Sequence, residues 1–328
     1  MAKRALTGIR ASGNVHLGNY LGTIKPAISR QNNFECIYFI ADLHALTTVK
    51  DPVLLREKSY DVLAVWMALG LDYKKHVLFR QSDVPMVTEF AWYLSSVTGM
   101  GFLEKAHAYK DASANNKEVN HAVFAYPVLM AADILMYDVD IVPVGKDQKQ
   151  HVEMARDIAG SFNAIYGENC IKLPAPVIEE KVMVIPGLDG RKMSKSYNNE
   201  IPLFSDEPQL KKLIMSIKTD STALEDAKEI KGTLLGEFFS YFCDEKEFED
   251  IRSKMKKGGM GWGHAKEELF QVVNKEVREA RERYFEIRSD LKLLEAVFNE
   301  GAERAYRISA PVLDRVRSAV GLSPHTTY

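Results

Sequence analysis

Cysteine is almost missing from this sequence: Cys36, Cys170 and Cys243 are the three in 328 residues. They lie far apart and form no Cys-x-x-Cys pair, which excludes a disulfide framework and a thiolate metal site and leaves buried or bystander thiols. The eight histidines contain no His-x-x-x-His pair and no His-Glu-x-x-His, so zinc has no signature here. No apolar run approaches the roughly 20 residues of a membrane helix, and Met1-Ala-Lys-Arg-Ala-Leu6 lacks the apolar stretch of a secretory signal. The expectation is a cytoplasmic protein with no membrane partner. Charge of one sign is also scarce, the net value being −2, which argues against a chain that coats nucleic acid unselectively. Any nucleic-acid contact then falls to local patches: Lys254-Met-Lys-Lys257, Arg278-Glu-Ala-Arg-Glu-Arg283 or Arg304-Ala-Tyr-Arg307, each of which is equally well a solvated helix face. Internal repeats and low-complexity tracts are absent.

What is present is a 46% hydrophobic chain of about two domains' length. Its first half alternates strand-like and helix-like segments. Ala5–Ile9, Cys36–Ala41, Val77–Phe79 and Asp140–Val144 read as short buried strands. Between them, Leu17–Arg30, Pro52 to about Leu69 with Asp51 as N-cap, Val84–Val97 and Pro127–Tyr137 read as helices. A polar helix, Lys146–Tyr166, and a stretch punctuated by Pro174, Pro176 and Pro186 follow. Strand signals then almost vanish. From Ala265 the apolar positions Leu269, Val272, Val273, Val277, Ala280, Tyr284 and Ile287 trace one face of a long amphipathic helix, after a glycine-rich turn at Gly258–Gly263. The pattern predicts an α/β fold with a Rossmann-like parallel sheet, residues 1–195, and a helical domain, residues 196–328, whose last helix can fold back on the first.

Two segments carry chemistry. Lys192-Met-Ser-Lys-Ser196 places two ammonium groups and two hydroxyls on a loop that Gly190 leaves free to move, suited to gripping the leaving phosphates of a nucleotide. About 180 residues earlier, Ser12-Gly-Asn-Val-His-Leu-Gly-Asn-Tyr20 runs from strand to helix. If Gly18 opens that helix, its free N–H groups favour phosphate, and His16 and Asn19 can donate to phosphate or ribose oxygens. Thr7 and Ser12 add donors, and Gly8 and Gly13 keep the backbone close. Together the two segments suggest one ATP site, with Mg²⁺ arriving on the nucleotide.

This pair of motifs resembles the signatures of class I aminoacyl-tRNA synthetases. Tyr126-Pro-Val-Leu-Met-Ala-Ala-Asp-Ile-Leu135 and Val142-Pro-Val-Gly-Lys-Asp-Gln-Lys-Gln-His151 narrow the likeness to the bacterial tryptophanyl-tRNA synthetase family, through nearly the whole chain. The resemblance implies a ligase that converts L-tryptophan and ATP to tryptophanyl-adenylate and pyrophosphate, then transfers tryptophan to the 3′ end of tRNA(Trp). It also implies a homodimer joined through the α/β domain and anticodon contacts from the helical one. By the same resemblance, Arg10, Ala11, Ser12, Gly18 and Asn19 line the ATP. Gly145, Lys146, Asp147 and the backbone at Val182 hold ribose and adenine. Lys192 and Lys195 neutralise the departing pyrophosphate, with Met193, Ser194 and Ser196 completing the loop. The amino-acid pocket is Asp133 for the indole N–H, Met130, Leu6, Val142 and Val144 as apolar walls, and His44, Tyr126 and Gln148 as the polar edge. Met130 and Asp133, three apart, can share a helix face.

Resembling bacterial enzymes usually carry Gln-Pro-Ser where this chain has Arg10-Ala-Ser12; Arg10 either adds a phosphate contact or faces solvent. Some relatives hold an iron–sulfur cluster on four cysteines in the helical region, which Cys243 alone cannot do. Competing readings are a tyrosyl-tRNA synthetase, against which the Met-Ala-Ala-Asp segment stands as the better match to an indole, a catalytically silent relative used as a binding module, and a nucleotidylyltransferase.

Overall fold

Strands covered on both faces need near-continuous apolar sequence, and five such segments pair as one parallel sheet among the described residues. The computed structural model describes residues 3–106, 109–110, 120–145, 149–178 and 185–323. β1 (Arg4–Arg10), β2 (Glu35–Ala41), β3 (Val77–Arg80), β4 (Ile141–Val144) and β5 (Ala175–Ile178) lie in the order β3-β2-β1-β4-β5. Arg4 faces Glu35 and Arg10 faces Ala41 across β1 and β2, Ile37 faces Val77, and Ile141 faces Ala175.

The strand order reverses at β1, and in open α/β sheets the crevice beyond the C-terminal strand ends at such a reversal is where ligands bind. Arg10, Ala11 and Ser12 leave β1 at that point, and Val144 and Gly145 leave β4 there. β1 and β4 pair at Ala5 and Ile141. Pro143, with no N–H, cannot extend that ladder.

Four strands fall within one or two residues of the expected positions. β5 does not correspond to any expected strand, because Pro174 and Pro176 read as punctuation; it lies at the sheet edge, where a residue lacking an N–H is tolerated. The expected helix Leu17–Arg30 is also not one α-helix. It is a short α segment, Leu17–Asn19, a π turn, Tyr20–Ile24, and a second α segment, Lys25–Arg30. The N–H of Lys25 reaches back to the carbonyl of Tyr20, and Pro26, next in line, has none to offer. Asp51 does cap Pro52–Ala68, accepting from the N–H groups of Val53 and Leu54 at 2.8 and 3.2 Å.

Two compact units interleave along the chain, whereas the sequence reading placed a single cut at 195/196. One comprises Met1–Gly13, Ala27–Val182 and Asp290–Tyr328; the other comprises Asn14–Pro26 and Met183–Ser289. The first unit holds the sheet. The second contains helices Glu207–Met215, Leu234–Phe242, Glu245–Lys256 and Trp262–Ser289, the last burying Leu269, Val273, Val277 and Ala280 along one face as its sequence period requires. Gly258 and Gly259, both at positive φ, make the turn before it.

Within the sheet unit the helix Leu291–Ala319 packs on β3, and Gly301 sets how closely. A Cβ at Gly301 would sit 1.8 Å from the carbonyl oxygen of Leu78. Arg304, one turn on, donates to the carbonyls of Tyr73, Lys74, Lys75 and His76, tying down the loop that leads into β3. A Gly→Ala change inside an unconstrained helix stabilises by about 1 kcal/mol. Here Gly301→Ala should instead destabilise by about 1–3 kcal/mol through overpacking, measured by urea unfolding; a more stable variant would show that the helix is not seated on the strand backbone.

Candidate active site

An ionisable side chain buried in an apolar helix needs donors, and Asp133 has them. Helix Tyr126–Leu135 carries it into the sheet unit, where it is 2% exposed. The Nε2 atom of His44 lies 2.7 Å from its Oδ2 and is the donor when the carboxyl is ionised. The amide nitrogen of Gln81 donates to both oxygens, at 2.7 Å to Oδ1 and 2.9 Å to Oδ2. Burial pushes the Asp133 carboxyl above its ordinary value, and the bonds from His44 and Gln81 work in the opposite direction. The two donors come from segments that are themselves tied: Asp42, beginning the helix of His44, accepts from the backbone N–H and the hydroxyl of Ser82 at 3.0 and 2.5 Å, next to Gln81.

The apolar residues expected around Asp133 belong to the same core. Leu6 and Val142 are buried in the cluster that includes Ala131 and Ala132, with Met130 and Val144 half-buried against it. The ring of Tyr126 packs on His44 with centroids 4.4 Å apart, and the guanidinium of Arg10 lies over the same Tyr126 ring, 5.3 Å from its centroid. Arg10 is thus seated on an aromatic ring at the end of β1, beside the buried Ala11 and half-buried Ser12. Gly8 proves to serve packing: a Cβ there would meet the Phe39 ring at 2.4 Å.

In the second unit, the two phosphate-type motifs meet. The N–H of Leu17 donates to the carbonyl of Ile201, that of Leu203 to the carbonyl of Val15, and His16 bridges Pro202, so the segment after the lysine-serine loop pairs with the histidine segment. His16 is the N-cap of Leu17–Asn19: its Nδ1 accepts from the Asn19 N–H at 3.3 Å, while the Asn19 side chain accepts from the His16 N–H at 3.1 Å. Burial lowers the His16 pKa to about 4, so at neutral pH it is an uncharged ring whose remaining N–H, on Nε2, is a donor suited to a phosphate oxygen. The helix N–H groups expected to be free are engaged: that of Gly18 meets the Met193 sulfur at 3.4 Å, and that of Tyr20 the His16 carbonyl at 3.1 Å.

Lys192 and Lys195 are exposed and Met193 is buried. Gly190, at φ +84°, turns a tight hairpin in which Gly187 bonds Arg191 and Met193 bonds Ile185; it shapes the loop's entry rather than loosening it. Asn199, 2% exposed, holds the loop. Its oxygen accepts from the Ser194 N–H at 2.8 Å, and its amide nitrogen donates to Asp189 at 2.7 Å and to the Lys192 carbonyl at 3.1 Å. Asp189 is held down to about 2, first by the Asn199 amide and then by Arg191. Gln81 and Asn199 were not expected from sequence, since a lone amide in a loop carries no pattern.

Lys146, Asp147, Gln148 and Val182 lie outside the described residues, as does the side chain of Ser196. The basic patches are largely engaged within the chain. Arg304 binds four carbonyls, Arg307 pairs with Glu303, Lys254 with Glu268, Lys256 with Glu229, and the buried Arg281 with Ser205 and Asn274. Among the described residues, no group of three His, Cys, Asp or Glu side chains is arranged to hold a metal, and no helix is long and apolar enough to cross a membrane.

Asn199→Ala removes four bonds from a buried loop support, worth about 1–3 kcal/mol. If the loop acts on the nucleotide, kcat for a nucleotide-dependent step should fall about 5- to 150-fold while binding in the sheet unit is unchanged. An unaltered kcat would show that Asn199 does not set the loop's working conformation.

The chain is similar to known proteins along nearly its whole length. Residues 2–278 match the family of class I tRNA synthetases specific for W and Y. The tryptophan–tRNA ligase of Fusobacterium nucleatum is 43% identical over 98% of this chain and 98% of its own length, and that of Rhodopirellula baltica 45% identical over 97% and 99%. The crystal structure of tryptophanyl-tRNA synthetase from Campylobacter jejuni, complexed with ADP and tryptophan, is 44% identical and superposes with a TM-score of 0.92 over 97% of this chain and all of that one. With a Rossmann-like parallel sheet, both phosphate-type motifs in contact and this similarity along its length, the chain belongs to the class I tRNA synthetases of the tryptophan and tyrosine branch.

Proposed function

We propose that this chain is a ligase that activates L-tryptophan with ATP and passes it to tRNA(Trp). The observation that carries the amino-acid assignment is Asp133, a buried acceptor in an apolar setting, which suits the single ring N–H of an indole. In the first step a carboxylate oxygen of tryptophan attacks the α-phosphorus, the bond to the β-phosphate breaks, and pyrophosphate leaves with the electron pair. Lys192 and Lys195 offset the charge that builds on the leaving group, and His16 supplies a neutral donor. Mg²⁺ enters as part of the nucleotide substrate, on its phosphates. In the second step the terminal ribose hydroxyl of the tRNA attacks the carbonyl carbon and AMP leaves. Arg10, Ala11, Ser12, Gly18, Asn19, Gly145, Lys146, Asp147 and Val182 are assigned to ATP, and Leu6, His44, Tyr126, Met130, Val142, Val144 and Gln148 to tryptophan.

The helices of residues 196–289 are assigned to the anticodon arm, and the reaction to the cytoplasm. A homodimer is part of the same reading. Its support is that the sheet unit exposes large apolar side chains, Trp92, Met100 and Val53 being 74%, 65% and 64% exposed, which a second copy would cover. Trp92→Glu should shift sedimentation toward the monomer; a wild type that sediments as a monomer at all concentrations removes the dimer.

Tryptophan-dependent exchange of pyrophosphate into ATP tests the activity directly, with tyrosine as the control. A hydrogen bond to a charged group is worth about 1.5–3 kcal/mol, so Asp133→Ala should lower kcat/KM for tryptophan about 10- to 150-fold and leave the KM for ATP unchanged. Equal exchange with tyrosine would overturn the substrate, and an unimpaired Asp133→Ala would overturn the reader.

A further inference from the structure

Gln81, 1% exposed in the short turn after β3, makes an unusual choice of hydrogen bonds. Its amide nitrogen spans both oxygens of Asp133, and its own oxygen, buried as well, has no hydrogen-bond partner among the described residues. An amide donates only from its nitrogen end, so this orientation gives Asp133 two donors while both of its oxygens accept. A protonated Asp133 would keep one acceptor oxygen toward Gln81 and lose the other.

A carboxylate offers about four acceptor positions. On Asp133, His44 takes one on Oδ2, and Gln81 takes one on each oxygen, leaving a single position on Oδ1. We propose that Gln81 is a specificity-determining positioning residue, which fixes the plane and the ionised state of Asp133 so that the one remaining acceptor position reads a ring N–H. The inference rests on the assignment of Asp133 to the indole and adds to it the group that makes the reading selective.

The charged and titratable groups around this carboxylate set the direction of its response to pH. Burial pushes it up, His44 and Gln81 act against that, and Asp42, engaged by Ser82 and Leu43, adds a smaller upward push. Tyr137, whose own hydroxyl is held protonated by burial and by Asp133, does not add a charge. Without the Gln81 donors the carboxyl titrates at higher pH. Below that point it carries a proton, and a ring N–H meets an uncharged and weaker acceptor. Selectivity should therefore fail on the acid side and return as pH rises.

The test compares kcat/KM in pyrophosphate exchange for tryptophan and for the analogue in which sulfur replaces the ring N–H, across about pH 6 to 9. The wild type should hold a constant preference for tryptophan. In Gln81→Met the preference should fall as the pH drops below the new titration point and recover on the alkaline side. Gln81→Glu, near-isosteric and retained as the second variant should the first fold poorly, should move that window to still higher pH, because two carboxyls sharing a proton resist double ionisation. A purely structural role predicts something different: equal loss on both amino acids at every pH. That result, or a preference that stays constant in both variants, overturns the inference. If the wild type itself fails to prefer tryptophan, the assignment of Asp133 is what fails.

Discussion

A carboxylate taken out of water has to be held by donors, and much of the sheet unit is arranged around that requirement. Asp133 enters on a helix with no other charged residue, and its two donors arrive from separate segments, the helix of His44 and the turn of Gln81. Neither segment is long enough to hold its place alone. Asp42 and Ser82 bind them to each other, β2 and β3 carry them in register, and the helix Leu291–Ala319 braces β3 through Gly301 and Arg304. Support for a side chain in the pocket thus runs to a helix more than 150 residues later in the chain. Leaving a buried charge without these partners would cost far more than any one of the contacts contributes.

The second unit solves the opposite problem. Lys192 and Lys195 stay in water, where their charge costs little, and order has to come from neutral groups beside them. Asn199 gathers the backbone on both sides of Lys192 and Met193, and Asp189, pinned by Asn199 and Arg191, anchors the other end of that amide. An amide suits this position because it donates and accepts at once and needs no counter-charge when buried.

The legible part of the fold was the part with period and punctuation. Buried parallel strands announce themselves as apolar runs, the Asp51-Pro52 start marks its helix, and the heptad-like spacing from Leu269 to Ala280 marks another. β5 was hidden by prolines that an edge strand can accommodate, and the π turn at Tyr20–Ile24 by apolar spacing that suits a regular helix equally well. The interleaving of the units was hidden for a different reason, since backbone pairing of His16 with Pro202 leaves no trace in side-chain type. At the site, Asp133 stood out as an acid in an apolar segment. Gln81 and Asn199 did not, because an amide reveals its role only through what folding brings to it.

The contact between Gly18 and Met193 bears on how the lysine-serine loop is seated. A thioether is a poor acceptor, yet it is what meets this helix N–H, at 3.4 Å and almost out of reach of water. The methionine side chain fills space well and bonds weakly, so shape more than bonding holds the lysine-serine loop against the histidine segment. A serine or asparagine in its place would offer the N–H a stronger acceptor but fill less of the space, exchanging packing for a hydrogen bond.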